Sequence, residues 1–166
     1  MEEGTMKVKD IMSQNDVCCS ANSNIGQAVE LMWVHNCGVL PVVGPDHKLS
    51  GIITDRDICI AVGTRSKLAG ELTVGDVAAK EVFTCRPEDD VHAALRIMAS
   101  KHVRRLPVVN NAGIPLGILS TDDIVAHAGP NSWTGNSALP SEEIIASLKK
   151  LYGPQFPVVA VNAATA

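Results

Sequence analysis

Gly51-Ile52-Ile53-Thr54-Asp55-Arg56-Asp57 returns later in the chain as Gly117-Ile118-Leu119-Ser120-Thr121-Asp122-Asp123. In each copy a glycine precedes two aliphatic residues and then a hydroxyl. An aspartate falls three residues after that hydroxyl. The apolar run Leu49 to Ile53 has the character of a strand, and it feeds straight into a helix-like run from Asp55. A Thr or Ser at such a junction is an N-cap, because its oxygen can take an unpaired amide proton of the first turn. The aspartate lies in that same turn, where the helix dipole favours negative charge. Taken singly, each copy is explained as a capping box and nothing more.

The two closing aspartates lie 66 residues apart, and that one offset aligns much more of the chain without a gap. Asp10 falls on Asp76, Cys19 on Cys85, Ala28 on Ala94 and Met32 on Met98, and Leu40-Pro41-Val42-Val43 falls on Leu106-Pro107-Val108-Val109. Two copies are too few for a solenoid; they predict two like units packed face to face. Each unit reads strand, helix, strand, strand, helix. Val8 to Met12 is apolar enough for one helical turn, and Asp16 to Cys19 is expected as a short strand. Asn24 caps a helix in which Ile25, Ala28, Val29 and Met32 recur at helical spacing, with Gly38 as its expected end. Gly44-Pro45-Asp46-His47 and Asn110-Asn111-Ala112-Gly113 are turns. A second helix is expected over Asp55 to Val62, followed by a linker from Gly63 to Leu72. The units are placed at 7–66 and 73–128, in an α/β (α+β) fold, with a tail at 129–166. Within the tail, 129–140 is loop. Ser141 is expected to cap an amphipathic helix that stops at Gly153-Pro154, and Phe156 to Val161 could add a strand.

Composition narrows the function. Among 166 residues 46% are hydrophobic but only 3% aromatic, so the core rests on aliphatic side chains, Ala and Met. A formal charge of −4 supplies no general basic field for nucleic acid. No apolar run approaches the roughly 20 residues that span a bilayer. The acidic, polar N-terminus does not read as a secretory signal, which points to the cytoplasm. The five cysteines form no C-x-x-C pair, so they are expected to be reduced, mostly buried and not metal-bound. Elbow, phosphate-loop and His-rich metal motifs are absent from the sequence, so an enzyme is not expected. His35, His47, His92, His102 and His127 are scattered.

Asp10-Ile11-Met12, the paired Leu-Pro-Val-Val runs and the doubled Gly-aliphatic-aliphatic-[Thr/Ser]-x-x-Asp motif together resemble a tandem CBS-domain protein, or Bateman module, over residues 7–128. The resemblance implies two units about a pseudo-two-fold axis, with grooves that hold AMP, ADP, ATP or related adenosine ligands. It implies that the aspartate of each motif binds ribose hydroxyls while the Ser or Thr contacts ribose or phosphate. That assigns Thr54 and Asp57 to one site, and Ser120 and Asp123 to the other. Adenine would lie in apolar slots formed by Val17, Cys18 and Cys19 or Phe83, Thr84 and Cys85, together with Leu40-Pro41 or Leu106-Pro107.

A carboxylate suits a cis-diol because charge-assisted hydrogen bonds are stronger than neutral ones. The two sites differ in charge: Arg56 precedes Asp57, whereas Asp122 precedes Asp123. Arg104 and Arg105 lie just before Leu106, where the first unit has no Lys or Arg. By resemblance a basic residue at Arg105 reaches ligand phosphates; strand alternation predicts that only one of the two arginines faces the groove. The resemblance also implies a homodimer, with Trp33 a candidate interface residue, and no resident cofactor. A ligand-free dimer whose tail engages a client protein is the competing reading.

Overall fold

A computed structural model describes residues 6–14, 17–128 and 141–153. Helix α1 (Val8–Ile11) and strand β1 (Ser13–Gln14) come first. They are followed by β2 (Cys19–Ser20), α2 (Ile25–Val34), β3 (Val39–Val43), β4 (Leu49–Thr54) and α3 (Asp55–Arg65). A short 3-10 turn over Ala69–Glu71 leads to α4 (Val74–Val77). The second half contains α5 (Val91–Lys101), β5 (Arg105–Val109), β6 (Pro115–Ser120) and α6 (Thr121–Ala126), and α7 (Ser141–Tyr152) follows. This is a mixed α+β architecture with two three-stranded sheets, ordered β2-β3-β4 and β1-β6-β5.

The caps fix where the helices start. Asn24 Oδ1 accepts the Gln27 amide at 2.9 Å, and Gln27 Oε1 accepts the Asn24 amide at 3.1 Å. That reciprocal pair satisfies two of the free donors at the start of α2. Thr54 and Ser120 do the same for α3 and α6 with Asp57 and Asp123. Along α2 and α5 the buried positions follow the helical period: Ile25, Ala28 and Met32 in one, Val91, Ala94, Leu95 and Met98 in the other.

The chain exchanges its leading segments. Met6, Val8 and Ile11 are buried with Val91, Leu95, Leu106 and Leu119 of the second half, while Leu72 and Val74 are buried with Ile25, Leu40 and Ile53 of the first. The strands follow suit. Ser13 pairs with Ile118 of β6, and Ala79 forms an isolated bridge with Ile52 of β4. Both pairings sit on the motif glycine. A Cβ at Gly117 would stand 2.5 Å from the Ser13 carbonyl oxygen, and one at Gly51 would stand 3.0 Å from that of Ala79. The glycine of each motif is therefore a point of close backbone approach. The halves also touch directly through the Leu49 amide, which donates to the Gly113 carbonyl at 3.0 Å.

Several expectations are corrected. The first strand is not Asp16 to Cys19 but Cys19–Ser20, held parallel to Val42 and Val43; residue 16 lies outside the described residues. Its counterpart near Cys85 shrinks to one bridge with Val108. The α2 helix ends at Val34 rather than at Gly38, and Asn36 takes the left-handed conformation at φ 48°. Helix α3 runs on to Arg65. Ser141 is the first helical residue of α7 rather than its cap, and Phe156 to Val161 lie outside the described residues. Helix α7 lies on α5, burying Ile144 and Leu151. The His92–Glu143 contact at 2.9 Å and the Thr121–Tyr152 hydroxyl pair at 3.2 Å tie it down. Only Cys19 and Cys85 are buried; Cys18 and Cys37 are half-buried and Cys59 is exposed. Burial pushes the Cys19 thiol up to about 11 and the Cys85 thiol to about 12, so both are neutral thiols serving as small hydrophobes. No helix among the described residues is long and apolar enough to cross a membrane.

Candidate functional site

Strands β4 and β6 each deliver their motif to the seam between the halves, and each motif faces residues of the other half. The first groove, about 260 Å³, is lined by Thr54, Arg56 and Asp57 with Val39 and Ile52 on one side. Glu81, Val82, Phe83, His102, Val103, Arg104, Arg105 and Pro107 line the other. The second, about 330 Å³, joins Ile118, Ser120, Asp122 and Asp123 to Ser13, Gln14, His35, Asn36, Cys37, Gly38 and Val39, with Arg105 again at its wall. Both volumes fall near the lower end of the range typical of small-molecule clefts.

The carboxylates are held alike at one oxygen and differently at the other. Asp57 Oδ2 accepts the Thr54 amide at 3.0 Å and its hydroxyl at 2.7 Å. Asp123 Oδ2 accepts the Ser120 amide at 2.8 Å and its hydroxyl at 2.6 Å. Asp123 Oδ1 also accepts the Ser13 hydroxyl at 3.1 Å. Among the described residues nothing donates to Asp57 Oδ1. The Thr or Ser hydroxyl is thereby spent on the cap, as donor to the aspartate and acceptor from its amide.

Charge separates the grooves further. Arg56, Arg104 and Arg105 face Asp57 and Glu81 in the first. Among the described lining of the second, Arg105 alone faces Asp122 and Asp123. Contrary to the alternation argument, Arg104 and Arg105 both line the first groove, because Arg104 precedes β5 and is not bound by its period. His102, one of the scattered histidines and a neighbour of Arg104 and Arg105 in the sequence, enters the wall through a left-handed turn at φ 56°. Asn36 occupies the same place in the second groove at φ 48°. The 66-residue offset relates these two and is the signal that could have found them.

Of the expected apolar slots, Phe83 and Pro107 line the first groove. Cys19, Cys85, Leu40 and Leu106 do not face a groove: they are at most 4% exposed and belong to the cores, since alternate strand residues point inward. Pro41 is buried, and Val17, Cys18 and Thr84 are half-buried. None of these four lines either groove. No group of three or more His, Cys, Asp or Glu among the described residues is arranged to hold a metal ion.

The CBS-domain family profile matches residues 8–63 and 74–129. The chain is 32% identical over 130 residues to the CBS domain-containing protein YhcV of Bacillus subtilis, covering 78% of this chain and 91% of that protein. It is 27% identical to Hypoxic response protein 1 of Mycobacterium tuberculosis, covering 88% of this chain and 94% of the relative. Among solved structures it resembles the CBS domain pair of protein MJ0100, in complex with 5-methylthioadenosine and S-adenosyl-L-methionine. That match has a TM-score of 0.68 at 28% identity and covers 74% of this chain and 95% of the other.

Proposed function

The chain belongs to the CBS-domain family as a tandem pair, and from that premise we propose a stand-alone regulatory module, with units at 7–66 and 73–128, that binds adenosine-containing ligands of the AMP, ADP or ATP type. The observation that carries this reading is the pair of carboxylates, Asp57 and Asp123. Each is fixed at a helix start and placed on a groove wall completed by the other half. Asp57 keeps an oxygen for ribose hydroxyls, and Phe83 with Pro107 offers the adenine an apolar face. Arg56, Arg104 and Arg105 offer charge-assisted bonds to phosphate. The adenosine compounds bound by the related MJ0100 pair support the ligand class.

In this reading the protein senses rather than catalyses, and works in the cytoplasm. It assembles as a homodimer through the uncovered face of α2, where Trp33 is 85% exposed. A regulated client protein follows from the sensor role.

The test is a thermal-shift panel of adenosine, AMP, ATP, NAD and S-adenosylmethionine, followed by calorimetry. A ligand at a hundred times its dissociation constant should add about 2.7 kcal/mol of stability. If none of the five raises the melting temperature, the sensor reading fails and the protein-interaction reading takes its place.

A further inference from the structure

The two carboxylates differ because of one residue on each crossing segment. In the second half that segment is β1, and its pairing fixes Ser13 opposite Ile118, directly over Gly117. The Ser13 hydroxyl donates to Asp123 Oδ1 at 3.1 Å. The same register in the first half belongs to Ala79, opposite Ile52 and over Gly51. Alanine has no hydroxyl to give, and among the described residues Asp57 Oδ1 receives no bond.

A carboxylate oxygen accepts about two hydrogen bonds. In both motifs Oδ2 already takes two, from the amide and hydroxyl of the cap. Whatever a ligand donates must therefore go to Oδ1. That oxygen has both acceptor positions open on Asp57 and one taken on Asp123. We propose that Ser13 is a specificity-determining residue of the second groove. By filling half of the acceptor capacity that faces the ligand, it leaves a site that reads one sugar hydroxyl. The first groove reads an intact cis-diol. The grooves thus differ in the sugar they select: ribonucleosides favour the first, whereas the second accepts ribo- and 2′-deoxyribonucleosides with little distinction. This inference rests on the adenosine reading above.

Calorimetry with adenosine and 2′-deoxyadenosine tests it, with Asp123→Ala isolating the first groove and Asp57→Ala the second. Loss of the 2′-hydroxyl should weaken binding about tenfold in the first groove and about threefold or less in the second. Adding Ser13→Ala to Asp57→Ala should raise discrimination in the second groove to about tenfold, and adding Ala79→Ser to Asp123→Ala should lower it in the first. Ser13 is exposed and its backbone makes the strand pairing, so the alanine variant should keep its melting temperature. If Ser13→Ala leaves discrimination unchanged, or weakens adenosine, the hydroxyl is a strut or a ligand donor and the assignment is overturned. If adenosine binding is absent, or survives loss of both aspartates, the underlying adenosine reading falls. The Asp57 and Asp123 variants reveal that without any change at Ser13.

Discussion

The two grooves are built on the same backbone and stocked with different side chains. Each has a motif aspartate, a left-handed wall residue and an arginine at position 105, yet the first gathers three arginines against two carboxylates while the second sets one against two. The outer faces differ as well. Val29 and Trp33 on α2 are 44% and 85% exposed, whereas their repeat partners on α5, Leu95 and Ala99, are at most 4% exposed beneath α7. The difference teaches that the duplicated framework fixes where a carboxylate and a wall residue stand. Single substitutions and one added helix set which side chains each half presents.

The sharpest way to break the comparison of the outer faces is to remove the helix that creates it. Truncation after Gly129 strips Ile144 from the second core and removes Leu151, the other buried residue of α7. At about 1.5–3 kcal/mol for each fully buried side chain, the loss should reach about 3–6 kcal/mol. Urea denaturation followed by circular dichroism should show it. An unchanged midpoint would mean that α7 rests on α5 without stabilising it. The truncation leaves both grooves' motif residues in place, so ligand affinity should hold while stability falls.

Next in size is the loss of the acceptors. Asp57→Ala removes the proposed ribose contact but leaves Thr54 as the cap. A hydrogen bond to a charged group is worth about 1.5–3 kcal/mol, or about 10- to 150-fold in dissociation constant. Asp123→Ala should cost less, because Ser13 already holds one of its oxygens. Arg56→Ala sharpens the contrast: it should weaken AMP and ATP more than adenosine, and only in the first groove. Titration calorimetry on the three variants decides the order, and equal losses at both aspartates would erase the distinction drawn between the sites.

A third test concerns the motif glycines, and there the sequence alone fell short. The repeat, its antiparallel strand pairs, its caps and the capping aspartates were legible because each rests on local chemistry: a period, a hydroxyl beside a helix start, a turn between two apolar runs. The exchange of leading segments was not legible. Val8 to Met12 reads locally as a helical turn that opens the first unit, and Val74 to Ala79 as part of the second, yet the burial of these segments depends on surfaces in the opposite half. The core placement of Leu40, Leu106, Cys19 and Cys85 depended on knowing which strand face turned inward. The role of Gly51 and Gly117 was hidden for the same reason, since the backbone they admit comes from the other half. Gly117→Ala should cost about 1–3 kcal/mol, as overpacking does. Gly51→Ala should cost less, because the added Cβ would stand 3.0 Å rather than 2.5 Å from the crossing carbonyl. Thermal melts of the two variants rank them, and the reverse order would mean that the segments are not held equivalently.

The smallest effect distinguishes how the two crossing segments are fastened. Glu88 Oε2 accepts Lys7 Nζ at 2.7 Å and Oε1 accepts Lys9 Nζ at 2.8 Å, clamping the N-terminal segment to the second half. At the repeat-related positions stand Asn22, Thr73 and Gly75, which form no such ion pairs. These lysine hydrogen bonds hold the Glu88 carboxyl at about 2, below its ordinary 4.5. A depressed carboxyl stabilises the folded state above its unfolded value, and that stabilisation fades as pH falls from about 4.5 through about 2. Solvent-exposed pairs of this kind contribute little, so the readout should be local. Acid alone does not isolate the clamp, because Asp76, which caps α4 with Thr73, is also held below its ordinary range by that hydrogen bond. Salt separates the two. At neutral pH, high ionic strength should screen Lys7–Glu88 and Lys9–Glu88 but leave the Thr73–Asp76 hydrogen bonds intact. Hydrogen exchange should then quicken at Val8 to Met12 while Val74 to Ala78 stays protected. Equal protection of both segments at high salt would show that burial of Met6, Val8 and Ile11 holds the leader and that the ion pairs add nothing measurable.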